Sequence, residues 1–452
     1  MTGGERRGIA ALLLLAAAPS LHAQGATLRA APAWAPDAGG AAPTVTLAEA
    51  LARTEKVQPG IAQARASLLN ADAAKRAAFG QWLPNVNANS SLGNLFSENA
   101  RPDPITGVPV VAGSSLTSVN VGVNASLLLF TGFQRGANTR AAGAQASASE
   151  ASLLNARFQA RLQTTNQFFA ALAAEQLLRV RAASVSRADE QVRAAVARLR
   201  AGSATRSDSL RATVQLGTAR SDRAVATANL AGAEAILGQL VGADAPVKAA
   251  DDSAYYRVPS PEELERFVAG AVESAPQVLT AEANVRAAEA QLTASRSQYW
   301  PTLQLTGNTS WNGNSRLNDY QLFNQRQFTL QFTWPLFNRF QREQQIAVNR
   351  TAADVASAQA ADARRAVRAN LAAQLAQAEA ASERVAITGA NVEAAREDLR
   401  VQQERYRLGA STILDVLTSQ EALTTAEVNE VNARFDFLRA KAQLEALLGR
   451  SL

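Results

Sequence analysis

Thr117-Ser-Val-Asn-Val-Gly-Val-Asn-Ala-Ser-Leu-Leu-Leu-Phe130 alternates apolar and small polar residues, with Val119, Val121, Val123, Ala125, Leu127 and Leu129 on one side. Period two reads as a strand with one apolar face. Phe328, Leu330, Phe332, Trp334 and Leu336 alternate in the same way, and partner segments precede both runs: Val86, Ala88, Ser90, Leu92, and Leu303, Leu305, Gly307, Thr309, Trp311. A half-buried strand of a soluble sandwich would alternate likewise, but three features point to lipid. The segments lack charge, and Glu98, Arg101, Asp103, Arg316, Asp319 and Arg326 are assigned to the connecting loops. Their lengths of about 10–12 residues fit tilted membrane strands. Fifteen of the aromatics, including four of the 5 Trp, fall within 79–133 and 299–340. Trp82, Phe130, Phe133, Tyr299, Trp300, Phe337 and Phe340 bracket the strands as an interfacial girdle. Four strands cannot close a membrane barrel, whose smallest examples have about eight. An open edge in lipid would also leave backbone groups unpaired. Several protomers must share one barrel: a dimer of about eight strands or a trimer of about twelve.

The strands belong to a repeated unit. Gln81-Trp-Leu-Pro84 recurs as Gln298-Tyr-Trp-Pro301, a displacement of 217, and Pro59 pairs with Pro276 at the same displacement. Leu129-Phe-Thr-Gly-Phe-Gln-Arg135 recurs as Leu336-Phe-Asn-Arg-Phe-Gln-Arg342, a displacement of 207 that holds on to Gly202 and Gly409. The chain therefore reads as a tandem duplication, with its two copies at 45–242 and 261–452 and a linker at 243–260. Each copy runs helix, β-hairpin (84–131; 301–337), long helix (133–200; 339–407), tip turn (201–207; 408–412) and helix. Thr46 to Glu49 and Ser260 to Glu263 have the form of capping boxes. A helix of 133–200 would span about 100 Å, so the architecture is elongated. The fold class is a mixed α/β membrane protein: long antiparallel helices joined to four strands per protomer of a shared transmembrane β-barrel.

The N-terminus has Arg6-Arg7, an apolar run from Ile9 to Ala18 and a small-residue stretch ending at Ala23. This predicts a signal peptide over 1–23, followed by a flexible lead-in over 24–44. The chain of 452 residues has no cysteine and a single histidine, His22, inside the signal. Disulfides, thiolate catalysis, cysteine-ligated metals and Ser-His-Asp chemistry are all excluded, and no enzyme activity or cofactor is expected. Copper as cargo is disfavoured, because soft ligands are almost absent. The net charge of +6 comes from arginines interspersed with Asp and Glu, which is a solvated helix face and not a nucleic-acid stripe. A soluble periplasmic coiled-coil scaffold is the remaining alternative.

With these motifs in order and twice over, the chain resembles the TolC-type outer-membrane efflux proteins. The resemblance rests on Thr46-Leu-Ala-Glu-Ala-Leu51, Pro84, Pro301, Leu129 to Phe133, Arg405 to Leu417 and Asn432 to Leu438. It implies a homotrimer whose twelve strands form one barrel in the outer membrane of a Gram-negative-type bacterium, continued by a long antiparallel α-helical barrel, the periplasmic tunnel. The duct would serve a tripartite efflux pump or type I secretion. Its partners would be a periplasmic adaptor (membrane fusion protein), an inner-membrane transporter of RND, ABC or MFS type, and outer-membrane lipid. Gly202, Ser203, Leu408, Gly409 and Ala410 would form the adaptor-docking tip, and Asp208, Tyr406, Asp415 and Arg434 the periplasmic gate. Thr418 stands where family members often have a second acidic residue, so a cation-attracting constriction is not implied. Ser411 stands where an arginine is sometimes found, and Arg206 of the first copy is its candidate substitute.

Overall fold

The computed structural model describes residues 43–102, 105, 107–256, 270–315 and 322–449. The expected signal peptide, nearly all of the lead-in, the box at 260–263, Asp103, Arg316 and Asp319 lie outside them. The elements are β1 (Thr44–Val45), α1 (Leu47–Val57), α2 (Pro59–Gly80), β2 (Asn85–Pro102), β3 (Pro109–Thr131), α3 (Gln134–Arg200) and α4 (Arg206–Val241). There follow β4 (Lys248–Ala249), α5 (Ala271–Ser274), α6 (Pro276–Arg296), β5 (Thr302–Ser315), β6 (Leu322–Thr333), α7 (Gln341–Arg407) and α8 (Ile413–Leu448).

Proline sets the helix starts. Gln58 and Ala275 are extended, as a residue before proline prefers, and Pro59 and Pro276 open α2 and α6. At Thr46 only half of the expected box forms. Its hydroxyl accepts the Glu49 N–H at 3.3 Å, while the Glu49 carboxylate goes to Arg53 at 2.5 Å. α3 and α7 are each 67 residues long, and α4 and α8 each 36. α3 is flanked by α2 and α4 on one side and by α6 and α8 on the other. The shorter helices butt end to end: Gly242 at the end of α4 abuts Val57, and Gly449 at the end of α8 abuts Pro276. Each glycine has a positive φ, about 70°, and a Cβ would come within 2.9 Å of its neighbour, so both conformation and space demand glycine. The segment after α4 is packed, not slack. β4 pairs in parallel with β1, the Leu47 N–H donates to the Tyr255 hydroxyl, and Val247 is fully buried with Phe168, Phe169 and Phe435. α4 alone among the described helices is long and apolar enough to cross a membrane, but Leu237, Leu240 and Val241 are buried in the bundle.

The four long strands form one antiparallel sheet in the order β2-β3-β5-β6. They differ from the sequence expectation in three ways. β2 and β3 run 18 and 23 residues, well beyond a membrane span, so Glu98 and Arg101 lie in β2 and not in a loop; Arg326 likewise lies in β6. A bulge between Leu128 and Phe130 breaks the alternation. Leu127 faces Leu305, but Phe130, in place of Leu129, faces Leu303. β6 ends at Thr333, before Pro335, so Trp334 and Leu336 lie past its end. Proline has no N–H to continue a ladder.

Candidate functional site

The two tips are built alike. α3 ends at Arg200, where the Gly202 N–H bonds to the Leu199 carbonyl and the Ser203 N–H to the Arg198 carbonyl. α7 ends at Arg407 with the same pair, Gly409 to Tyr406 and Ala410 to Arg405. This is the Schellman closure, and Gly202 and Gly409 supply its left-handed residue at φ 71° and 80°. The chain then turns back through Thr205 or Thr412. The first turn is shorter than the expected 201–207, because a capping box starts α4 at Arg206.

Asp208 and Asp415 complete those boxes. The Thr205 N–H and hydroxyl donate to Asp208 Oδ2 at 3.0 and 2.8 Å, and the Thr412 pair donates to Asp415 Oδ2 at 2.8 and 2.8 Å. The backbone N–H of Thr205 or Thr412, and then its hydroxyl, hold each carboxyl below the usual carboxylate range. Every one of these bonds ends on Oδ2, so Oδ1 of each aspartate takes no part in the box.

Tyr406 is where the tips meet. The Arg198 guanidinium, from the last turn of α3, lies 4.1 Å over its ring and donates to the Arg407 carbonyl at 2.8 Å. Among the described residues the buried Tyr406 hydroxyl has no hydrogen-bond partner, so the ring face makes the contact. Arg434 is not with this group. It stands 19 positions beyond Asp415 on α8, about 28 Å along the axis at ~1.5 Å per residue. There its guanidinium pairs with Glu430 at 2.9 Å and lies over Tyr256.

Two joints between the halves were not visible in the sequence. Arg198 on Tyr406 is one. The other is Arg187 of α3, which grips Glu427 of α8 at 2.8 Å and the Thr424 hydroxyl at 3.2 Å; the two charged side chains are only 21% and 13% exposed. The partners are more than 200 positions apart, and no periodicity within one helix reveals them.

At the other end of the helices, Trp82, Phe130, Phe133, Trp300, Phe337 and Phe340 stand where helix meets strand, at one end of the sheet. Phe133 bridges Phe130 and Trp300 edge-on at 5.4 and 5.9 Å, and Phe337 meets Phe340 at 5.3 Å. Below them Arg135 lies 4.4 Å over Trp82 and donates to the carbonyl of Leu129 in the bulge. Arg342 repeats this over Tyr299, donating to the Pro335 carbonyl. Phe133, Arg339 and Phe340 all have positive φ, the left-handed kink that turns strand into helix.

Register assigns the sheet's faces. Val86, Ala125, Gly307 and Phe328 lie in one row of the apolar face. The opposite face is amide and hydroxyl: Asn89 donates to Asn120 at 3.2 Å, and Asn120 donates to Asn312. One apolar face bearing Glu98 and Arg326 near its far end, one mostly polar face, and aromatics at the helical end resemble the wall of a membrane barrel.

The model of the outer membrane efflux protein family matches residues 48–243 and 268–450. The chain belongs to that family. It is an outer-membrane protein of TolC-like fold whose helical part extends into the periplasm, which removes the soluble-scaffold alternative. Family and fold are those of channels, not enzymes. The outer membrane efflux protein BepC of Brucella suis is 28% identical over 334 residues, 74% of this chain and 73% of BepC. Two solved outer-membrane proteins share the fold. VceC of Vibrio cholerae is 17% identical over 90% of this chain and 96% of its own, at a TM-score of 0.73. The open state of the MtrE outer membrane channel of Neisseria gonorrhoeae is 20% identical over 90% and 89%, also at 0.73.

Proposed function

We propose that this efflux-family chain is one third of a passive exit duct. Three copies close a twelve-stranded barrel in the outer membrane and a helical tunnel below it. The duct receives cargo from a periplasmic adaptor and an inner-membrane transporter of RND, ABC or MFS type, in drug efflux or type I secretion. One observation carries this reading: the wall described above is open at both edges. β2 and β6 each pair on one side only, and α7 is likewise covered on one side. In lipid those edges must be satisfied, and a head-to-tail interface that repeats until it closes does so. The repeated order of elements, with equal lengths for α3 and α7 and for α4 and α8, supports a tandem duplication. A signal peptide over 1–23 fits export to this site.

The gate is assigned to the tips. Asp208 and Asp415 offer the Oδ1 atoms that their boxes leave unused to cations of neighbouring helices, and Tyr406 is the ring on which Arg198 latches the two hairpins. Arg434, mid-helix, is left out. Exposed ion pairs are worth about 0–1 kcal/mol each, weak enough for a latch that must open. Gly202, Ser203, Leu408, Gly409 and Ala410 present the surface for the adaptor. The test is light scattering and planar-bilayer conductance of the detergent-purified protein. The expected result is a trimer whose conductance rises in Asp415→Ala and Arg198→Ala. A monomer, or a trimer unaffected by both changes, refutes the duct or its gate respectively.

A further inference from the structure

The joint inside one chain is a template for the joint between chains. In the first hairpin Asn85 lies opposite Ser126; adding the sequence displacements of 217 and 207 gives Thr302 opposite Thr333, which is the pair observed. The displacements are therefore structural equivalences for the strands. The internal joint pairs Val123 with Thr309 and Val121 with Trp311. The same displacements carry those pairs to Leu330 with Leu92 and Phe328 with Asn94, where β6 of one copy meets β2 of the next. They also carry Val119–Gly313 to Arg326–Phe96 and Thr117–Ser315 to Asn324–Glu98.

Glu98 and Arg326 are exposed charges of opposite sign within the strands, one on each edge strand. Both fall on the apolar face: Glu98 shares the parity of Val86 and Leu92, and Arg326 lies opposite Thr309. Glu98 makes no ion pair among the described residues, and Arg326 spends only its Nε, on Asn324 of its own strand. Glu98 lies 12 positions from Val86, about 28 Å in height at ~3.3 Å per residue and a tilt of ~45°. That height clears an apolar band about 25 Å tall, so the charge reaches the outer rim. A slip of two residues would keep every side chain on its proper face, so the apolar pattern alone does not fix the register.

We propose that β6 pairs with β2 of the next protomer in this copied register, and that Glu98 lies diagonally beside Arg326 of that neighbour as the ion pair that fixes it. Diagonal neighbours are about 7–8 Å apart at the backbone, within reach of an arginine. The inference rests on the closed-ring reading above and adds its register and its specificity pair. The competing reading is that charges on edge strands merely prevent unwanted pairing.

The cysteine-free chain lends itself to the test. In the full-length protein, Leu92→Cys with Leu330→Cys should give a covalent trimer ladder under mild oxidation. The slipped combinations, Leu92→Cys with Phe328→Cys or with Phe332→Cys, should give several-fold less. Glu98→Lys should lower trimer survival in detergent several-fold, and adding Arg326→Glu should restore it. A monomeric unsubstituted protein by light scattering would defeat the ring itself. A trimer that cross-links best at a slipped pair, or is not rescued by the double reversal, would overturn the register or the ion pair while leaving the ring intact.

Discussion

α3 and α7 hold equivalent places in the two halves and have the same length, 67 residues, yet 17 residues of α3 are buried and only nine of α7. Both are alanine-rich, so propensity does not separate them. What differs is company: α3 has helices on both sides, and α7 on one. On the closed-ring reading proposed above, the burial missing from α7 is where the next protomer would pack. The largest effect should come from the crowded helix. Phe168 is fully buried against Phe169 and Tyr255, and Phe168→Ala should cost roughly 3–5 kcal/mol, read by chemical denaturation. On α7, Val348 and Val355 are 54% and 49% exposed. Val348→Asp or Val355→Asp should keep the helix content and abolish the trimer. A trimer of unchanged stability would show that the open face of α7 is not the joint.

A middling effect tests the contact that ties the crowded side together. Arg187 and Glu427 are mostly buried but not dry, so Arg187→Ala should cost about 1–2 kcal/mol, between an exposed and a fully buried pair. A double-mutant cycle with Glu427→Ala checks it, and strict additivity would mean that the pair contributes nothing.

The same contrast explains what the sequence made legible. Features repeated within each copy were readable: period-two strands, the lengths of the long helices, the glycine turns and the aromatic gathering. Features that depend on one copy meeting the other were not. Arg187 with Glu427 and Arg198 with Tyr406 join residues over 200 positions apart, and each arginine looks locally like solvated surface. Charge reads as the end of a strand, which assigns Glu98 and Arg326 to loops, whereas β2 and β6 run on through them. The bulge at Leu128 and Phe130 left no compositional mark. The resemblance implies a gate role for Arg434, and at ~1.5 Å rise per residue the helix sets it about 28 Å from Asp415.

Smaller effects compare the tips. Thr205→Ala and Thr412→Ala each remove one side of a capping box and should raise local opening about fivefold, seen by amide hydrogen exchange at the start of α4 and α8. Because the folded carboxyls of Asp208 and Asp415 titrate below their unfolded value, the caps' contribution is full above the ordinary carboxylate range. It is lost only as pH falls through the depressed value. Conductance should therefore be flat through neutral and mildly acidic pH and change only in strong acid. A transition near neutrality would assign the gate to other groups.

The smallest change is the sharpest. A tyrosine in a gate invites a hydrogen bond, but among the described residues the buried Tyr406 hydroxyl has no partner, while its ring supports Arg198. Removing an unsatisfied buried hydroxyl is close to neutral, whereas removing an aromatic face beneath a guanidinium is not. Tyr406→Phe should thus leave stability within about 0.5 kcal/mol and conductance at the parent level. Tyr406→Ala should raise conductance as Arg198→Ala does, and combining the two should add little, since each breaks the same contact. If Tyr406→Phe alone opened the channel, the hydroxyl would be bonding across to a neighbouring protomer, and the latch would lie between chains.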